Sequence, residues 1–141
     1  MNWLSYALLS ALFAGLVAVF GKVGVREVDS TLATAVRAVI MALALVTLVL
    51  ARGGDHVGSL RHIPSRTWLF IVLAGLAGAA SWLCYFRALQ LGDAARVAPI
   101  DRLSVLVAVA FGALFLGEKL TSSVGLGAAL ILAGSILIAR G

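Results

Sequence analysis

Residues Trp68–Leu91 read WLFIVLAGLAGAASWLCYFRALQL, and after a short polar break Ala95–Leu116 read ARVAPIDRLSVLVAVAFGALFL. The first run holds one charged residue, Arg87. As an α-helix it would be about 36 Å long, enough to cross the ~30 Å hydrocarbon core of a bilayer. The second run keeps its charges in its first half. Between them Gly92 suits a helix end and Asp93 a helix start. The pair predicts two adjacent membrane helices joined by a tight turn.

Three further runs have the same character: Trp3–Phe20, Thr31–Ala51 and Ser122–Ile138. No Lys or Arg precedes the first run, so it does not read as a signal peptide. Asp29 and Ser30 are placed to cap the second helix, Ser65 or Thr67 the third, and Thr121 or Ser122 the fifth. Gly117-Glu118-Lys119 closes the fourth, and Arg52 through Pro64 is the one long loop. The expected fold is therefore all-α and integral to the membrane, with five helices in a single domain over residues 1–141.

Composition agrees. Of 141 residues 62% are apolar and 12% charged, and the mean hydropathy is +1.11. A soluble domain of this size has too little interior for so much apolar side chain, which excludes a soluble enzyme, a disordered tail and a fibrous repeat. The net charge of +5 does not imply a nucleic-acid partner, because the basic residues lie mainly between apolar runs and form no stripe with interleaved aromatics. Cys84 is the only cysteine, and His56 and His62 share one polar stretch with too few other ligands for a zinc site. No metal or cofactor is implied.

Five spans put the two chain ends on opposite sides. On the N-terminal side fall Arg52, Arg61, Arg66 and Lys119; on the other fall Lys22, Arg26, Arg96 and Arg140, with Arg87 close enough to snorkel there. Four against four leaves the positive-inside rule little to act on. Two readings are open: dual topology with antiparallel pairing, or a single orientation set by the first helix through Lys22 and Arg26.

Charge inside the spans needs a reason, since an ionisable side chain at the centre of a membrane helix costs roughly 2.5–3.5 kcal/mol on insertion scales. Arg37, Asp101 and Arg102 lie about 10 Å along their helices from the side opposite the N-terminus, and Arg87 about 6 Å. The four share one layer. Pro99, two residues before Asp101, removes a helix hydrogen bond and frees the carbonyl of Ala95. Such a kink suits a substrate site, and it suits a packing kink beside a self-neutralising Asp–Arg pair equally well.

Helical spacing adds detail. Asp101, Ser104, Ala108 and Gly112 fall on one face of the fourth helix, and Trp82 shares a face of the third with Tyr85, whereas Arg87 points away. Trp82 lies near mid-depth, where it could stack on a solute or simply pack. Ala74, Gly75, Gly78 and Ala79 form a small-residue ladder suited to close helix contact, and Tyr6, Phe13 and Phe20 suit packing or lipid. No HExxH, GxSxG or CxxC occurs. The run from Gly112 to Lys119 imitates a phosphate loop, but Glu118 separates Gly117 from the lysine and the run is an apolar helix. Only Asp101 is an acid at depth, so paired-carboxylate proteolysis has no second group. The expectation is not an enzyme.

The stretch from Tyr85 through Gly92, Arg96, Pro99, Asp101 and Arg102 to Ser104, followed by Phe115-Leu-Gly117-Glu118-Lys119-Leu-Thr121, resembles EamA-type members of the drug/metabolite transporter superfamily. So do Leu32-Ala-Thr-Ala-Val-Arg37-Ala and the pattern from Ala11 to Gly24. The resemblance covers nearly the whole chain. It implies a transporter of small metabolites such as amino acids, often outward, across the bacterial inner membrane. Most such transporters carry two inverted five-helix repeats. One repeat here implies a half-size protein that pairs, with itself as a homodimer or with a second half-size chain. The small multidrug-resistance relatives carry a glutamate in the first helix; Trp3–Phe20 has no acid, which argues against cationic-drug/proton exchange.

These points set the expectation. Three arginines against one aspartate leave the charged layer at net +2, which favours an anionic or zwitterionic solute. Arg37 is the candidate for its carboxylate, and Asp101 for the counter-ion and a proton carrier. Arg102 belongs to the same substrate-binding layer. Trp82, Tyr85 and Ser104 would shape the cavity, Pro99 would kink the helix, and Glu118 is a helix-end residue. The partners expected are the lipid bilayer and a small-molecule substrate. The alternative is a non-transporting membrane subunit that assists a partner transporter, its buried charges serving assembly.

Overall fold

The computed structural model describes residues 2–52 and 58–141. Gly53, Gly54, Asp55, His56 and Val57, part of the expected long loop, lie outside the described residues. The helices are α1 (Trp3–Gly24), α2 (Ser30–Ala51), α3 (Ser65–Leu91), α4 (Ala94–Asp101), α5 (Ser104–Phe115) and α6 (Ser122–Arg140), with a short 3-10 turn at Ser59–His62. Among the described residues there is no strand. Among the described residues, five helical segments are long and apolar enough to cross a membrane: α1, α2, α3, the α4–α5 pair over Ala94–Phe115, and α6.

Their surfaces fit a hydrocarbon solvent. Leu76, Leu114 and Leu130 are 64%, 77% and 65% exposed, which water would penalise and acyl chains do not. In lipid, burying apolar side chains gives helices little reason to associate, so polar side-chain bonds and close packing carry more of the tertiary structure.

Helix ends follow local chemistry. Asn2 Oδ1 accepts from the amide and hydroxyl of Ser5, opening α1. Asp29 Oδ1 accepts from the amides of Thr31 (2.9 Å) and Leu32 (3.1 Å), capping α2 as its sequence position predicts. These bonds, that from Leu32 foremost, hold the Asp29 carboxyl below the usual carboxylate range. Thr121 Oγ1 caps α6 by accepting from the amide of Val124. Asp93 stands at the start of α4, but its backbone carbonyl, not its side chain, accepts from Arg96 and Val97.

The chain divides into two compact units, Val23–Gln90 and Met1–Lys22 with Leu91–Gly141. In the first, the side-chain amide of Gln90 donates to the carbonyls of Val25 (3.4 Å) and Val28 (3.2 Å), while its oxygen accepts from Arg87 at 2.7 Å. The turn before α2 is thereby tied to the last turn of α3. Val25 and Leu89 are fully buried here.

In the second unit, Lys22 Nζ donates to the carbonyl of Gly92 at 2.7 Å, joining the end of α1 to the turn before α4. Arg96 donates to the carbonyl of Gly141 at 2.7 Å. The expected fourth helix is broken. After Pro99 the chain tightens to i→i+3 bonds, from the amides of Arg102, Leu103, Val105 and Leu106 to the carbonyls of Pro99, Ile100, Arg102 and Leu103. Proline cannot donate to Ala95, so regular α bonding loosens there and the tighter turn follows. The buried Ser135 of α6 donates its hydroxyl to the carbonyl of Pro99 at 2.9 Å.

Candidate solute-binding site between α2 and α3

The cap at Asp29 sets the phase of α2. Thr34, Arg37, Ala38 and Met41 stand at i, i+3, i+4 and i+7, one face of the helix. On α3 the same spacing aligns Gly75, Gly78, Ala79 and Trp82. These two faces, with Thr31, Ala35, Ala74 and Leu83, line a cavity of about 470 Å³, within the range of small-ligand sites. A Cβ added at Gly75 or Gly78 would meet nothing within 4 Å. The small-residue ladder suggests close helix contact in the sequence; in the structure it borders open space.

Arg37 is the charged residue on the cavity wall. Its guanidinium carbon lies 3.5 Å from the centroid of the Trp82 ring and 5.6 Å from that of Phe86. The ring faces are the negative part of the aromatic quadrupole, and a desolvated guanidinium gains about 2 kcal/mol or more over them. Trp82 is itself held edge-on to Tyr85 at 5.5 Å and to Phe86 at 5.8 Å. Within residues 23–90, among those described, no carboxylate pairs with Arg37. A guanidinium stacked by its face keeps its in-plane N–H groups for a planar acceptor, a carboxylate above all.

The polar groups nearby are mostly engaged. Buried Thr34 donates its hydroxyl to the carbonyl of Ser30 at 2.7 Å. Tyr85 is buried behind Trp82 and is not among the cavity-lining residues. Arg87, exposed, reaches Gln90 instead of the cavity.

The remaining candidates belong to the other unit. Asp101 is half-buried as the last residue of α4. Arg102 is exposed in the tight turn, and Ser104, exposed, opens α5. Because the break intervenes, the face expected for Asp101, Ser104, Ala108 and Gly112 is not one continuous α-helical face. Gly112 is buried, and a Cβ there would come 2.7 Å from the Glu118 carboxylate. Gly117, at φ +68°, turns the chain out so that the amide of Glu118 bonds the carbonyl of Gly112, and Glu118 is a helix-end residue as expected.

Sequence reasoning missed Gln90, Thr34 and Ser135. Each was visible as a polar side chain in or beside an apolar run, the same signal that singled out Arg37.

The EamA-like transporter family matches residues 1–140. A protein of Sinorhizobium sp. named "Uncharacterized transporter in cobO 3'region" is 54% identical over 138 residues, covering 98% of this chain and 96% of its own. No solved structure matches significantly. The resemblance seen around Pro99 and Arg37 thus extends along the whole chain. Half of all residues are shared with a protein named as a transporter, and five apolar helices are of spanning length; this chain belongs to the EamA-like transporter family, and it is a multi-pass membrane transporter.

Proposed function

We propose that residues 1–141 act as one five-helix membrane domain that carries a small anionic or zwitterionic solute by alternating access, without chemical change to the solute. Arg37 over Trp82, on the wall of a cavity of solute size, is the observation that carries this reading. The solute carboxylate pairs with the guanidinium edge, and Trp82 holds that edge in place. In the second unit, Asp101 is proposed as a proton carrier, and Arg102 and Ser104 as solute contacts along its path. Tyr85 acts by bracing Trp82, and the break after Pro99 supplies the bend.

The working unit in this proposal is an antiparallel homodimer in the bacterial inner membrane, which restores the inverted repeat of a full-length transporter. Near-equal Lys and Arg on the two sides supports dual insertion.

The test is counterflow in liposomes holding the purified protein alone, with pooled labelled amino acids and organic anions. Flux that disappears in Arg37→Ala and Asp101→Asn, while circular dichroism and gel filtration stay unchanged, is the expected result. Flux only when a second chain is added would favour the subunit reading. For orientation, Cys84 is replaced and single cysteines are placed at Asp55 and Gly141. Labelling of each from both membrane faces is expected, and one-sided labelling would sink the antiparallel pair.

A further inference from the structure

Resting on the solute-binding reading above, we propose that the α2–α3 cavity selects a monocarboxylate with an apolar body and rejects the corresponding α-amino acid. The wall offers one full charge, the guanidinium of Arg37. That satisfies one carboxylate. An α-amino acid brings a second charge, an ammonium, which needs acceptors to replace its water. Among the lining residues none is a carboxylate. The side-chain acceptors are the two threonine hydroxyls, and that of Thr34, buried, is held by its own donation to Ser30 and has only its lone pairs to offer. Two neutral hydroxyls do not replace a hydration shell, so the ammonium is left undersatisfied.

The rest of the wall favours hydrocarbon. Met41, Leu83 and the indole ring of Trp82 are mainly apolar, and the alanines and glycines of α3 leave room for the solute body. Gly75 and Gly78 set the size of the solute body, since a side chain at either would enter open space and not displace a neighbour. A branched or aromatic tail therefore sits along α3 while the carboxylate sits at Arg37.

The experiment compares deamino pairs on the reconstituted protein: 3-phenylpropanoate against phenylalanine, and 4-methylpentanoate against leucine, each as competitor for uptake of the labelled monocarboxylate. At least tenfold tighter competition by the deamino acid is expected, with loss of both in Arg37→Ala. Gly78→Leu should lose competition by 3-phenylpropanoate, while an unchanged circular dichroism spectrum and gel-filtration profile show that the variant is folded. An amino acid that competes as well as its deamino partner, with Arg37 still required, overturns this inference and leaves the binding site standing. If that competition also needs Asp101, the site is zwitterion-selective. No saturable uptake or competition by any carboxylate overturns the site itself.

Discussion

Arg37 and Trp82, on neighbouring helices, meet with the guanidinium carbon 3.5 Å from the ring centroid. The contact gives a charged group in an apolar span a partner that is not another charge. It also fixes the plane of the guanidinium. Arg37→Lys keeps the charge but loses the fork and the flat stack, so solute affinity should fall about tenfold or more, as for loss of up to ~2 kcal/mol of stacking. Trp82→Leu should do the same, and Trp82→Phe should retain part of the function. Competition binding on the reconstituted protein distinguishes the three.

Gln90 ties three groups together: the carbonyls of Val25 and Val28 and the guanidinium of Arg87. Gln90→Leu should lower stability by about 1–2 kcal/mol, because the carbonyls lose a donor and Arg87 an acceptor. Gln90→Glu keeps the acceptor and loses the donor, so it should fall between the two. Thermal unfolding in detergent, followed by circular dichroism, reads the difference.

Ser135 donates to the carbonyl of Pro99 across the α4–α6 contact. Ser135→Ala should cost about 0.6 kcal/mol, the usual size of such a bond between membrane helices. Ser135→Val should cost more, since a branched side chain must also fit a buried site. Hydrogen exchange at residues 100–106 should rise in both, and an unchanged exchange rate would remove the bond from the account of the break.

Two neighbouring glycines should respond differently. Gly117 has φ +68°, where a Cβ is strained, so Gly117→Ala should destabilise by about 1–2 kcal/mol. At Gly112 an added Cβ meets the far end of the Glu118 side chain, which can swing away. Gly112→Ala should therefore be mild, and combining it with Glu118→Ala should remove what effect remains.

Asp29 caps α2 as a carboxylate held below its usual range by the amides of Leu32 and Thr31. A depressed folded-state pKa contributes stability above the unfolded value and loses it as pH falls through the folded one. An acid-side loss of α2 helicity, beginning below about pH 4, should thus be present in the native chain. In Asp29→Asn, which caps without titrating, that contribution to the acid limb should vanish.

Much of this was legible in the residues. The spans are long enough in hydropathy that Trp68–Leu91 or Ser122–Ile138 could hardly be anything else, and Asp29, Thr121 and Gly117 mark helix ends by chemistry that acts within a few residues. Arg37 stood out because charge in an apolar run needs a reason. Trp82 stood out as well, but as a solute contact and not as the partner of Arg37, which it reaches only once α2 and α3 are placed side by side. The ladder at Ala74, Gly75, Gly78 and Ala79 was misleading for the same reason: small side chains permit close approach and equally leave room, and the neighbouring helix decides which. Pro99 foretold a disturbance but not its form, since neither the i→i+3 turn through Arg102 and Leu103 nor the bond its carbonyl accepts from Ser135, in a helix more than thirty residues away, is written in the local sequence.

The stacked guanidinium also carries an electrical consequence. At the α2–α3 cavity Arg37 is a fixed positive charge without solute, and a bound monoanion cancels that one charge. In the proposed cycle the step that moves the loaded site would therefore carry one positive charge fewer than the step that moves the empty one, a difference of up to about 2.3 kcal/mol per 100 mV for a full traverse. The return stroke would then be the step on which the cell's potential acts more strongly.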